Sequence, residues 1–527
     1  MVMASLSLRE DYWETFDLQE EDIEFIYNYL LEIETPLTPN ELVVALVEER
    51  IRREIEEFEH QRTAAGDLYF PKGSYSENQK LIFPAMGWRQ GEVIGSREGV
   101  NPDIPGLKVI AVKFENGEER EFASEVADHI LNDPPEISQE DELLNAQFVI
   151  ENYGDQLAKS LEAGLHANED FVRIAGRWFP RALLVDVNQG HLNLAEAVLD
   201  MAGGGPLPTE ALLEQVELPS SENLKLVEFS LDLGLEEDPR FDEVGPAGKV
   251  LWYLQRLEPQ EVRETPIFLR YHEIEHDRDL LSGEMLALER DLDDELSPLT
   301  SNGSHSDEVV VSLNFPHWRV GSLPLSSKID HLFPTAYEAP RIRFIIEDRK
   351  SSETFPGWVV REKRYVIGLK EWYESQGLMP GSLVRVRRGN DPGKVMVSAD
   401  SRRSSREWIR TVLIGSDGGT VFAMLKQVVT AAFDERMAIK IPDVDALDLV
   451  WKKMRKERPP FERVVVDIVR ELTKINPQGH VHASELYAAV NVVQRCPPAP
   501  ILALLASRPW FVHVGDLHFR FDDSEQG

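Results

Sequence analysis

The chain has 527 residues, of which 42% are hydrophobic, and its 93 acidic and 56 basic side chains give a formal charge of −37. That length exceeds what one core serves and points to several domains. The acidic surplus argues against indiscriminate binding to nucleic acid or anionic membrane. A single cysteine, Cys496, excludes an intramolecular disulfide and a cysteine zinc cluster.

The charge is unevenly spread. Residues 1–300 hold 65 acidic and 24 basic side chains, a balance of −41, whereas residues 301–527 hold 28 and 32, a balance of +4. An acidic face repels phosphate and a neutral-to-basic one can approach it, so the two parts should have different partners. The start, "MVMASLSLREDYWETFDLQEED", lacks a basic region followed by an apolar core, and no apolar run reaches the roughly 18 residues of a membrane span. A cytoplasmic protein without a membrane partner is expected.

Residues 1–66 read as an acidic helical segment, with "LQEEDIEFIYNYLLEI" and "TPNELVVALVEERIRREIEEFEHQR" at helical spacing. Over 67–125 the texture changes to short β-like runs punctuated by Gly, with a turn at Asn116-Gly117, which predicts a small SH3-like β-barrel. Residues 126–143 read as a connection. A helix over 144–166 and a hairpin in "DFVRIAGRWFPRALLVD" follow, and 191–254 reads helix, helix, helix, strand, turn, strand. That order predicts a winged helix, so 144–290 is assigned as a winged-helix region.

"DLDDELSPLTSNGSHSDE", 291–308, is acidic and then rich in Ser, Gly and Asn, and it sits at the charge break. It is expected to be the interdomain linker. A β-rich domain is assigned to 309–445, and a second helix-helix-helix-hairpin unit to 446–527. "DFVRIAGRWFPR" at 170 and "WFVHVGDLHFRF" at 510 share an apolar strand, a Gly-containing turn and a later Phe, as duplicated wings should.

"RYHEIEHDRD", 270–279, contains His272, Glu273 and His276 in H-E-x-x-H order, which on a helix would place two imidazoles and a carboxylate for a zinc-bound water. The preceding "ETPIFLRY" reads as extended, Glu275 occupies a position where such helices bury an apolar residue, and no third histidine follows at zincin spacing. Glu284, Glu289 or Asp293 would have to serve as third ligand. The motif is expected to be the start of a surface helix, with no metal, no cofactor and no catalytic residue. The paired histidines at 480 and 482 are expected to be structural.

Residues 341–410 hold 16 basic and 9 acidic side chains. Arg385 and Arg387 should share one strand face, with Arg388 on the other. The run "WKKMRKERPPFER", 451–463, either extends this basic surface or is a solvated helix end.

Two resemblances add to this reading. The units 191–254 ("PLPTEALLEQV", "RFDEVGPAG") and 461–522 ("HASELYAAV", "WFVHVGDLHFRF") resemble the HARE-HTH winged helix of the RNA polymerase delta subunit and of chromatin and restriction proteins. The segment 320–403 resembles the B3-type DNA-binding pseudobarrel through "LPLSSKIDHLFP", "IRFIIED", "WVVREKRYVIGLKEWYESQGLMPGSLVRVRRG" and "KVMVSADSRR". The second resemblance implies two arms that enter the major groove: Ser326, Ser327 and Lys328 on the first, Trp358, Arg361, Lys363 and Arg364 on the second. Arg385, Arg387, Arg388, Arg402 and Arg403 would add contacts nearer phosphate.

The fold class expected is therefore multidomain α+β, with winged-helix domains, an SH3-like barrel and a B3-like pseudobarrel. The function expected is that of a non-enzymatic, transcription-associated protein coupling double-stranded DNA to a protein partner such as RNA polymerase. Two alternatives stay open: a protein-only adaptor using its winged helices as docking surfaces, and a zinc hydrolase using His272, Glu273 and His276.

Overall fold

The computed structural model describes residues 8–9, 11–64, 67–83, 86, 89–100, 107–114, 117–132, 142–216, 218, 223–298, 306–391, 393–415, 418–522 and 524. It is a mixed α+β chain with several sheets. It divides into two compact units, 1–184 with 221–229 and 185–220 with 230–527. Asn116 of the predicted turn lies outside the described residues.

In the first unit, helix Glu20–Ile33 starts on a capping box between Gln19 and Asp22. Asp22 is then fully buried, where Arg50 and Arg53 neutralise it. Without those guanidinium groups its desolvation would be unfavourable. Helix Pro39–Ala64 begins after Thr38, whose amide donates to Glu41 at 2.8 Å. Helix Ala146–His166 is capped by Asn145 and leads into the hairpin Phe171–Ile174 and Arg177–Pro180. Between the second and third helices lies a five-stranded sheet, Asp67–Leu68, Lys80–Phe83, Arg89–Glu98, Lys108–Phe114 and Glu119–Ser124, paired in chain order, the first pair parallel and the last four strands an antiparallel meander. Tyr69, Phe83 and Phe114 fill its core, with Phe122 packed against them.

In the second unit a seven-stranded half-barrel sheet runs in the order Glu308–Ser312, Leu383–Arg388, Lys394–Ala399, Arg341–Asp348, Thr354–Val360, Tyr365–Ile367 and Ser322–Pro324. Only the Arg341–Asp348 and Lys394–Ala399 pair is parallel. Ile342, Phe344 and Ile346 alternate into its core while their neighbours are half-exposed, the period-two pattern of a strand with one buried face. Gly381 in "MPGS" has φ +90°, and a Cβ there would lie 2.5 Å from the Ala438 backbone, so this turn needs glycine.

The same element order occurs three times. Each copy has a helix, a short extended segment, two helices and a hairpin: from Glu20–Ile33, from helix Gln189–Met201, and from helix Phe461–Ile475. The extended segment pairs antiparallel with the last strand in each, through Leu37 with Trp178, Leu207 with Trp252, and Val481 with Phe519. Five residues on, each copy buries a leucine: Leu42, Leu212 and Leu486. The hairpins open on buried Phe171, Phe241 and Phe511, each six residues after a buried leucine, Leu165, Leu235 and Leu505. The sequence reading joined the second and third copies through one winged-helix resemblance and the first and third through their hairpins, but did not join all three. It also separated 1–66 from the helix and hairpin at 146–180, which the Leu37–Trp178 pairing ties together.

Two further expectations change. Residues 299–305 of the expected linker lie outside the described residues, but its acidic beginning is not a solvated connection. Asp293, Asp294, Glu295 and Ser297 are all buried, because each charge finds a partner in the second unit. His272, Glu273 and His276 lie on an exposed stretch outside any helix or strand, so the one-turn spacing that H-E-x-x-H requires is not formed. Among the described residues no three His, Cys, Asp or Glu side chains group as metal ligands.

Candidate nucleic-acid interface

Helix Gly283–Leu292 ends at Asp293, which adopts the left-handed conformation at φ 45° and turns its carboxylate onto the expected first arm. Asp293 accepts hydrogen bonds from the Ser326 hydroxyl, from Ser327 Oγ at 2.9 Å and from the Lys328 amide at 3.2 Å. Lys328 Nζ donates to the Asp291 carbonyl at 3.3 Å. Ser326 is buried at 1% exposure, so its side chain is not available to a partner in this conformation.

Behind Asp293 a buried ionic cluster anchors the acidic segment. Arg495 pairs with Asp294 at 2.6 Å and Glu295 at 2.7 Å, and Glu295 also lies 3.2 Å from His317 Nε2. Burial pushes the Glu295 carboxyl up, but Arg495 and His317 override it and hold it below the usual carboxylate range. Tyr487 donates to Asp294 at 2.5 Å, and Asn491 accepts from Arg495 at 3.0 Å.

The expected second arm is a tight turn over 361–364 between two strands, with Arg364 at φ 53°. Trp358 is a core residue at 3% exposure, edge-on to Tyr253 at 5.2 Å, and this burial removes it from any surface role. Arg361 donates to the Ala339 carbonyl at 2.8 Å, and Lys363 pairs with the adjacent Glu362. Arg385 is held by Asp400 at 2.8 Å and Glu308 at 3.1 Å. Arg388 donates to the His331 carbonyl, while Arg387 is exposed.

The geometry draws attention to a neighbouring element. Strands Ser401–Ile414 and Thr420–Ala431 pair antiparallel in a three-stranded sheet whose third strand, Ile439–Lys440, lies only along Arg410 and Thr411, so that 401–408 and its partner residues form a two-stranded ribbon. The register shifts between Ser401 and Ser405, and Arg402 and Arg403 lie in that bulge, Arg402 over the Phe433 ring at 5.5 Å. Beyond it, Arg406 faces Val428 and Trp408 faces Lys426, whose ammonium stands 5.3 Å over the indole. Trp408 is 61% and Val428 55% exposed. Among the described residues Arg387, Arg402, Arg403, Arg406 and Lys426 make no ion pair. Of these the sequence reading included Arg387, Arg402 and Arg403 and missed Arg406, Trp408 and Lys426. The available signal was the alternation in "SREWIRTVLI" followed by "SDGGT", a strand and a glycine turn.

The third helices of the three copies carry few cations. Ala146–His166 has Lys159 against Glu151, Asp155 and Glu162, and Leu224–Glu236 has Lys225 alone. Pro498–Ser507 has no lysine or arginine and is buried from Pro498 to Leu505. No described helix is long and apolar enough to cross a membrane. No protein-family model, curated protein or solved structure matches the chain.

Proposed function

We propose that the chain is a non-enzymatic DNA-associated adaptor, contacting duplex DNA through the ribbon at 401–431 and engaging a protein partner through its acidic first unit. The observation that carries this reading is the set of unpaired cations around an exposed tryptophan on the ribbon, in a chain whose charge is −37. Unpaired arginine and lysine can displace counterions from phosphate without first breaking an internal bridge. A two-stranded ribbon has the width the major groove admits. The half-barrel would then be of the B3 type and the three repeated units of the winged-helix type. The partner of the first unit would be a protein with a basic face, of which RNA polymerase is one.

Salt-titrated fluorescence anisotropy of the whole chain on duplex DNA tests this. Binding should weaken steeply with salt, and Arg406→Gln with Lys426→Gln should flatten the slope by roughly one per lost contact. No binding at low salt, or a slope unmoved by the double variant, sinks the reading. The cation-poor third helices favour a second one, in which the repeated units dock proteins and no DNA is bound. Capture of a protein partner by a chain that binds no duplex DNA would select it.

A further inference from the structure

A separate cavity of about 280 Å³ in the second unit is lined by Arg270, His272, Arg455, Arg458, Gln494 and Arg495. Among the described residues no carboxylate lines it. The cations come from three stretches: the segment after Leu269, the last turn of helix Val444–Glu457, and the segment following helix Ala483–Val493. Trp451 and Val493 supply apolar wall.

Three of the four arginines here make no ion pair among the described residues. Arg455 and Arg458 make no ion pair or side-chain hydrogen bond among the described residues, and Arg270 donates only to the Thr265 carbonyl, at 2.6 Å. Arg495 is fully buried, with Nη1 and Nη2 committed to Asp294, Glu295 and Asn491, yet its Nε has no partner among the described residues. Cations in a final helical turn complement the helix dipole, which accounts for Arg455. It does not account for Arg270 and His272, which come from a loop, or for the orphaned donor on Arg495. Converging guanidinium groups without a counter-charge repel one another, and an unsatisfied buried N–H is costly. A polyvalent anion in the cavity relieves the repulsion. Planar guanidinium forks match phosphate oxygens two at a time. The volume exceeds a bare phosphate and suits a ligand with an organic part against the apolar wall.

We propose that this cavity binds a small phosphorylated ligand, a phosphate monoester of up to mononucleotide size, with Arg270, Arg455 and Arg458 on the phosphate. His272 and Gln494 add hydrogen-bond donors at the rim. The site stands independently of DNA binding by the ribbon.

Calorimetric titration of the whole chain with inorganic phosphate, AMP and adenosine, at matched ionic strength, tests the proposal. Phosphate and AMP should bind and adenosine should not. Arg455→Gln with Arg458→Asn, the asparagine chosen because Arg458 has φ 46°, should weaken AMP by about tenfold or more. Lys452→Gln, exposed on the same helix, should leave it unchanged. If the double variant does not fold, Arg270→Gln, at an exposed position, replaces it with the same expectation. No binding of phosphate or AMP, equal binding of adenosine, or undiminished AMP affinity in the variants would overturn it. So would a 5′-phosphorylated oligonucleotide that binds where AMP does not, since that assigns the cavity to a nucleic-acid end.

Discussion

Arg495 and Asp294 meet at 2.6 Å as a fully buried ion pair, although 201 residues separate them in the chain. Arg495 also holds Glu295, so removing the guanidinium leaves two carboxylates desolvated side by side, with only His317 near Glu295. Arg495→Ala should therefore cost about 3–5 kcal/mol in urea unfolding of the whole chain, far more than loss of an exposed arginine would. A fragment beginning at 309 loses both carboxylates and should fold poorly, whereas one that keeps the helix Gly283–Leu292 and the segment to 298 retains the pair. Equal stability of the two fragments would contradict the role of this cluster.

Asp293 offers a test of masking. Its carboxylate occupies donors on Ser326, Ser327 and Lys328 that a phosphate would need. Asp293→Asn keeps a residue that tolerates the left-handed conformation but removes the charge. If the first arm takes part in DNA binding, the variant should bind duplex DNA more tightly than wild type at the same salt. Unchanged affinity would confine DNA contacts to the ribbon.

The pH dependence has a definite sign. Burial pushes the Glu243 carboxyl up to about 8, against lowering hydrogen bonds from the Gly245 and Leu251 amides. Burial likewise pushes Glu258 up to about 8. A raised folded pKa means that the unfolded state releases the proton first. The stability contribution is thus complete below the unfolded value near 4.5 and declines as pH rises toward 8. Glu243→Gln should flatten that decline in thermal melts between pH 5 and 8. Burial also depresses His482, to about 4, so its contribution is instead lost as pH falls below 6.5. A slope that survives Glu243→Gln unchanged would refute the assignment.

The repeated tryptophans should differ in what they tolerate. Trp252 Nε1 donates to buried Asp232 at 2.8 Å, while Trp178 Nε1 has no hydrogen-bond partner among the described residues. Trp252→Phe should cost about 1–3 kcal/mol beyond Trp178→Phe, because it strips a buried carboxylate of a donor. Denaturant midpoints of the two variants give the comparison, and equal costs would show that the indole hydrogen bond contributes little.

Much of the element pattern was legible because amphipathic spacing and turn residues are local signals. The helices around "LQEEDIEFIYNYLLEI" and "FERVVVDIVRELTKI" fall close to where their spacing puts them. What failed was non-local. "DLDDEL" looks like linker because charged residues usually seek water, and only the distant Arg495, His317 and Ser326 make its burial possible. Trp358 and the turn after it read as an arm because nothing near them in sequence reveals that Tyr253 covers the indole. The first copy escaped notice as a unit because a sheet interrupts it, and the five-residue interval from Leu37 to Leu42 becomes meaningful only beside Leu207–Leu212 and Val481–Leu486.

That interruption bears on how the chain is made. The Arg177 guanidinium donates to the Pro36 carbonyl across 141 positions, with the whole meander synthesised between them. During vectorial synthesis the first two helices must wait, with apolar faces unpaired, until the hairpin at 171–180 emerges. The meander by contrast closes through neighbouring strands and can form as soon as it clears the ribosome. These two helices are thus completed only after a sheet that is synthesised later than they are, and nascent chains arrested before position 180 should be the ones that chaperones hold.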